Sequence, residues 1–142
     1  MIRKAILEDL ESILEIEKTF GAEAFTRRSL RHHIVNQKTL VIDDNGVRGY
    51  SIVLARKGSA KARLYSIAIA EPYRGYGYGQ ALLKASESFA ISSFGAIGMT
   101  LEVAESNRVA RRFYSDFGYF EVKQIENYYQ NGDRAYRLWR AF

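Results

Sequence analysis

Ile67-Ala68-Ile69-Ala70-Glu71-Pro72-Tyr73-Arg74-Gly75-Tyr76-Gly77-Tyr78-Gly79-Gln80 is the stretch on which the reading of this chain turns. A strand runs into glycines, and the glycines open a helix. Backbone N–H groups at a helix start lack intrahelical partners, and the helix dipole adds partial positive charge there. Glycines let that backbone approach phosphate oxygens, and Arg74 can add charge-assisted bonds. A dinucleotide fingerprint, G-x-G-x-x-G, fails, because counting from Gly75 or Gly77 its last place falls on Gln80 or Leu82. A P-loop fails as well, since Gly79 is followed by Gln80 and not by G-K-S/T. R-x-x-G-x-G fits, with Arg74, Gly77 and Gly79 in place.

Working outward, Arg63 to Ile69 alternates and is rich in β-branched and aromatic residues, which predicts a long strand before the loop. Ala81 to Phe94 predicts a helix after it, with Leu82, Leu83, Phe89 and Ala90 on the buried side. Upstream, Ile2 to Lys4 reads as a short strand. A helix over Glu8 to Thr19 follows from Leu10, Ile13, Leu14 and Glu17, with Gly21 ending it. Thr26 caps a second helix, Arg27 to Asn36. Strands Thr39 to Asp43 and Tyr50 to Ala55 flank the turn Asp44-Asn45-Gly46. Downstream come a strand, Met99 to Val103, then a helix from Asn107 to Phe117 closed by Gly118. Strands Val122 to Ile125 and Ala135 to Trp139 flank a polar, tyrosine-bearing loop. The order is β-α-α-β-β-β-α-β-α-β-β. It specifies an α/β protein of α+β type with a mixed sheet of about seven strands and helices on its faces, read as a single domain over residues 1–142.

The composition is that of an ordinary globular chain, 47% hydrophobic and 26% charged. Cysteine is absent, which removes disulfides, thiolate metal sites and a cysteine nucleophile together. His32 and His33, adjacent on a basic helix, point in different directions; they are read as surface residues, and no metal site is expected. No stretch has the length of a membrane span and no secretory leader is visible, so the cytoplasm is expected. The net charge of +5 is spread along the chain. It suits a solvated basic surface or a small polyanionic ligand, and the chain has neither a helix-turn-helix pattern nor a concentrated basic stripe for nucleic acid.

The Arg74, Gly77 and Gly79 pattern resembles the acetyl-CoA signature of the GNAT superfamily of acetyltransferases. Leu101-Glu102-Val103, Ser106-Asn107 and Phe113-Tyr114-Ser115-Asp116-Phe117-Gly118-Tyr119 resemble that family's L-E-V-x-x-x-N…L/F-Y-x-x-x-G-F/Y element. With the opening strand and acidic helix, the resemblance covers nearly the whole chain. It is closest in pattern to ribosomal-protein alanine N-acetyltransferases and similar peptide N-terminal enzymes, which share the late Asn127-Tyr128-Tyr129 element. One departure is Glu71-Pro72, where the family more often has proline first. A changed turn is expected there, not a lost site.

The resemblance implies the GNAT fold and direct transfer of acetyl from acetyl-CoA to a primary amine, with a peptide or protein N-terminus as acceptor. A small-molecule amine is the alternative acceptor, and a non-catalytic CoA-binding module is the alternative of another class. Cofactor contacts are expected from the backbone of Ile67, Ala68 and Ile69, from Arg74 and the Gly75, Tyr76, Gly77, Tyr78, Gly79, Gln80 loop, and from Asn107. Asn107, Ala110 or Arg111, and Tyr114 share one helix face. Asn107 would meet the pantetheine arm, or cap the helix, or do both; Tyr114 would protonate the leaving thiolate, or pack between helix and sheet. Glu102 is the expected base, directly or through water, against the plainer reading of a strand glutamate paired with arginine. Phe25, from the segment Phe20 to Phe25, and Tyr128 with Tyr129 would wall the acceptor site. The partners expected are acetyl-CoA and the amine, without nucleic acid or membrane, on a monomer or homodimer.

Overall fold

The computed structural model describes residues 1–19 and 25–142. Its elements are β1 (Ile2–Lys4), α1 (Leu10–Glu17), α2 (Arg27–Val35), β2 (Thr39–Asp43), β3 (Val47–Ala55), β4 (Lys61–Ile69), α3 (Tyr78–Phe94), β5 (Gly98–Ala104), α4 (Arg108–Asp116), β6 (Phe120–Ile125) and β7 (Ala135–Ala141). The strands form one seven-stranded sheet in the order β1-β2-β3-β4-β5-β7-β6. Every neighbouring pair is antiparallel except β4 with β5. This is the expected element order and sheet.

Local chemistry sets several boundaries. Thr26 accepts a hydrogen bond from the Ser29 amide at 3.1 Å and so starts α2 where its hydroxyl requires. The first helix begins later than Glu8 because Leu7–Asp9 forms a 3-10 turn. The Asp9 carboxylate there accepts from the Ile6 amide at 2.8 Å and from both terminal nitrogens of Arg3, at 2.8 and 3.0 Å. That arginine holds Asp9 below the usual carboxylate range.

Two apolar layers sandwich the sheet. On one face α3 and α4 bury Leu82, Leu83, Phe89 and Tyr114 against Leu64, Met99, Leu101 and Leu138. On the other, α1 and α2 bury Ile13, Ile16, Leu30 and Ile34 against Val41, Tyr50, Ile52 and Ala68. The carboxylate of Glu87 on α3 is buried between the Tyr119 hydroxyl (2.7 Å) and Arg140 Nη1 (2.9 Å), tying the first layer to the β6–β7 edge. Burial and that bond both push the Tyr119 hydroxyl far above its ordinary range.

Two irregularities shape the middle of the sheet. Ile52 pairs with Ser66 but Val53 pairs with Leu64, so Tyr65 is the extra residue of a β-bulge. Before it Ala62 and Leu64 face the α3 layer; after it Ile67 and Ile69 do. The second is that β4 and β5 pair through only three positions, Lys61 with Gly98, Ala62 with Met99 and Arg63 with Thr100, and then diverge.

Gly98, at the closed end of that divergence, lies under the Trp139 indole. A Cβ there would lie 2.2 Å from the ring and 2.7 Å from the Arg140 carbonyl oxygen. The ring can turn, but the carbonyl is fixed by the β5–β7 ladder. Gly98→Ala is therefore expected to destabilise by about 2 kcal/mol, read as a drop in thermal midpoint of several degrees by calorimetry.

Candidate active site

The gap between β4 and β5 exposes backbone. The Ala70 amide donates to the Arg48 carbonyl on β3 at 2.8 Å. By the two-residue period of a strand, Ala68 also turns its backbone to β3, while Ile67 and Ile69 turn theirs to the gap. Of the three residues Ile67, Ala68 and Ile69, it is thus the first and last that offer N–H groups there.

At the open end of the gap stands the glycine loop. Gly75 and Gly77 have φ of 85° and 83°, in the left-handed region, and a Cβ on either would meet nothing within 4 Å. Gly77 is the N-cap of α3, so the amides of Tyr78, Gly79 and Gln80 form the first turn, aimed back over the loop. Gly79 packs on the Phe113 ring, with an added Cβ 3.6 Å from it. The Tyr78 hydroxyl donates to Asp44 at the β2–β3 turn, which fixes the loop from outside. Tyr76 is exposed. Glu71–Tyr73 is a 3-10 turn with Pro72 in its first positions, where a missing N–H costs nothing. Arg74 follows, its Nε donating to the Ile69 carbonyl at 3.0 Å. Its terminal nitrogens bond to none of the described residues. Open, left-handed glycines backed by three helix amides and an arginine fit a pyrophosphate.

Along the gap, Asn107 caps α4 by accepting from the Ala110 amide at 3.1 Å, which leaves its amide nitrogen to donate. Tyr114 lies two turns on, buried, with ring centroids 5.3 Å from Phe113 and 6.0 Å from Tyr119. Burial, with Tyr129 nearby, raises its hydroxyl well above the ordinary tyrosine range. That tyrosine keeps its proton at any working pH.

Glu102 alternates with Leu101 and Val103 and so projects through to the opposite face. Its side chain is 6% exposed. Oε1 accepts from Arg63 Nε at 2.9 Å and lies 2.6 Å from Arg63 Nη2, and Oε2 accepts from Arg137 Nε at 2.9 Å. A carboxylate has about four lone-pair sites, so one direction on Oε2 is left for a further donor. Arg63 Nη2 also donates to the Tyr128 hydroxyl at 3.2 Å, and the Tyr128 and Tyr129 rings meet edge to face at 4.9 Å. The Arg63 guanidinium lies over Tyr65, 5.0 Å from the ring centre, and Tyr65 packs on Phe25 at 5.1 Å. Phe25 is held by the buried Glu17, whose carboxylate accepts its amide at 2.8 Å. Burial raises the Glu17 carboxyl above its usual range.

Residues 5–119 match the Acetyltransferase (GNAT) family. The chain belongs to that family. It is 30% identical over 150 residues to an N-alpha-acetyltransferase of Sulfurisphaera tokodaii, covering 96% of this chain and 90% of the relative. It is 32% identical over 125 residues to the [ribosomal protein bS18]-alanine N-acetyltransferase of Haemophilus influenzae, covering 85% and 82%. The crystal structure of Ard1 from Thermoplasma volcanium superimposes with a TM-score of 0.90 at 28% identity, covering 99% of this chain and 96% of that one.

In this GNAT chain the expected site residues gather at one gap, from two faces: the glycine loop, Asn107 and Tyr114 on the α3–α4 side, Glu102, Phe25 and Tyr128 on the other. Of the segment Phe20 to Phe25 expected to form the acceptor wall, Phe20 to Ala24 lie outside the described residues, as does the helix stop at Gly21. Arg63, Tyr65 and Arg137 join this candidate site, and the sequence did not single them out. Their alternation marks them as strand residues; only the register shows them converging on Glu102. His33 is a correction. It is half-buried, not a surface residue, with its ring 5.6 Å from Tyr65 and its buried Nδ1 unbonded among the described residues. Burial lowers its pKa. Its ring neighbour Tyr65 is the bulge residue of β4. A groove of about 490 Å³ between α4 and β6–β7, edged by Arg108, Arg111, Arg112 and Tyr136, lies on the far side of α4 from the glycine loop.

Proposed function

We propose that this GNAT enzyme acetylates the N-terminal α-amine of a protein or peptide, with acetyl-CoA as donor. The observation that carries this reading is the β4–β5 gap, which joins the two faces. A thioester held by the glycine loop and Asn107 reaches the gap from the α3–α4 side. An amine entering between Phe25 and Tyr128 reaches it from the other. Several relatives are named for N-terminal acetylation, including the catalytic subunit of an N-terminal acetyltransferase A complex in Schizosaccharomyces pombe.

Three roles follow. The amides of Ile67 and Ile69 bond the acetyl carbonyl and pantetheine. Glu102 takes the ammonium proton through a water at the open direction of Oε2. Tyr114 donates its proton toward the departing thiolate, a task suited to a hydroxyl that stays protonated. Arg74, freed from the Ile69 carbonyl or bridging from it, meets the pyrophosphate. Arg74→Ala is expected to weaken CoA binding about tenfold, the size of one lost charge-assisted bond, and to leave pantetheine binding unchanged. Calorimetric titration of both ligands checks it, and equal losses would place Arg74 elsewhere.

The deciding experiment is an acetyl-CoA turnover screen over peptides with varied N-termini, N-blocked lysine peptides and small amines. Turnover of free N-terminal peptides above the other two classes is expected. Preference for a small amine would transfer the reading to a small-molecule acetyltransferase, and CoA binding without any turnover would make the chain a binding module.

A further inference from the structure

Helices α1 and α2 cover their face of the sheet over β2, β3 and the second half of β4; their core contains no residue of β5, β6 or β7. Strand register sorts the side chains on the uncovered remainder. Lys61 is level with Gly98, Arg63 with Thr100 and through it Trp139, and Glu102 with Arg137 and through it Lys123. Residues level in register share a face. That face therefore presents Lys61, Arg63, Arg137 and Lys123 around a single carboxylate, Glu102, a net of three positive charges among the described residues at these levels.

Elsewhere several arginines are paired with carboxylates: Arg3 with Asp9 and Asp43, Arg27 with Glu11, Arg134 with Glu105 and Glu126, Arg140 with Glu87. Lys61 and Lys123 are exposed and pair with no carboxylate among the described residues. The Trp139 ring gives the face a flat apolar floor over Gly98, with Lys61 Nζ 5.5 Å from its centre. The row is continuous with the acceptor mouth, because Arg63 bonds both Glu102 and Tyr128.

We propose that this face docks an acidic segment of the acceptor protein, a run of aspartates or glutamates just beyond the amine that is acetylated. The inference rests on the N-terminal reading above. Two strand spacings separate Glu102 from Lys123, about 10 Å, which an extended peptide spans in about three residues. The acidic run therefore begins near the fourth residue. Carboxylates on a flexible peptide can pair with the cations one at a time and avoid Glu102. A phosphate backbone would carry its charges past Glu102 at fixed spacing, and would find one indole where single strands need successive stacking platforms.

The test uses the full chain with acetyl-CoA and fluorescent peptides that share their first three residues and continue in three glutamates, three glutamines or three lysines. The glutamate peptide is expected to show a KM about tenfold below the glutamine peptide with similar kcat, an advantage that shrinks with added salt. In the Lys61→Glu, Lys123→Glu double variant the glutamate-to-glutamine ratio is expected to fall to about one. Both peptides are measured on the same protein, so general damage cancels. A ratio near one in the wild type, a preference for the lysine peptide, or a ratio that survives the double variant overturns the proposal. So does an oligouridylate that binds more tightly than the glutamate peptide and loses its binding in the double variant, which would reassign the face to nucleic acid. Anisotropy with N-blocked glutamate and glutamine peptides reads docking without catalysis. If only small amines are acetylated, the functional reading fails while this arm still decides whether the face selects acid.

Discussion

Replacing Tyr114 with phenylalanine is expected to lower turnover by about 10²-fold, the usual scale for losing a positioned acid. The ring sits among Phe113, Tyr119 and the α3 layer, and phenylalanine keeps all of that packing. Thermal midpoint and CoA affinity should therefore hardly move. The raised pKa adds a second signature. The hydroxyl remains protonated through the alkaline range, so the Tyr114-dependent part of the rate should show no loss at high pH from tyrosine ionisation. A donor with a more acidic thiol needs less help in leaving and should recover part of the lost rate. Full activity in the variant would make Tyr114 a packing residue. A large drop in stability would place its hydroxyl in the fold's own hydrogen bonding.

Glu102→Gln is expected to cost about 10²-fold in turnover near neutral pH, with acetyl-CoA affinity unchanged, since Glu102 lies on the acceptor face. An N-terminal amine has a pKa of about 8, so the defect should shrink as pH rises and the amine loses its proton unaided. A pH–rate profile of both proteins checks this, and a constant defect would leave Glu102 as the anchor of Arg63 and Arg137 alone. The stability cost should stay near 1 kcal/mol, because both arginines are more than a third exposed and rehydrate when released.

What the chain reveals before folding follows from how far each signal reaches. The strand Thr39–Asp43, its Asn45-Gly46 turn and the Thr26 cap depend on neighbouring residues, and each falls where composition puts it. The glycine loop is legible for the same reason, since its φ angles and the α3 start are local. The Tyr65 bulge is not, because an extra residue in a β-rich run looks like more strand. Missing it hides the change of face between Leu64 and Ile67, and with it the burial of His33 beside Tyr65. The clamp on Glu102 joins residues 39 and 35 positions away. Pairing with arginine was foreseeable as a type of contact, but its partners were not, since only strand order brings β4 and β7 to either side of β5.

The three-pair seam between β4 and β5 has a mechanical consequence. Four strands on one side and three on the other are joined, within the sheet, only at Lys61 to Arg63. Each half is laced internally by antiparallel ladders, and beyond the three pairs the seam is held by side chains: the α3 layer, which packs on Leu64 of β4 and Met99 of β5 together, and the Arg63–Glu102 pair. A ligand bridging the Ile67 and Ile69 amides to Asn107 adds backbone bonds where the ladder has none and ties the two halves more tightly. Amide hydrogen exchange across β4 and β5 should therefore slow together when CoA binds, including at amides beyond those of Ile67 and Ile69 that the ligand itself covers.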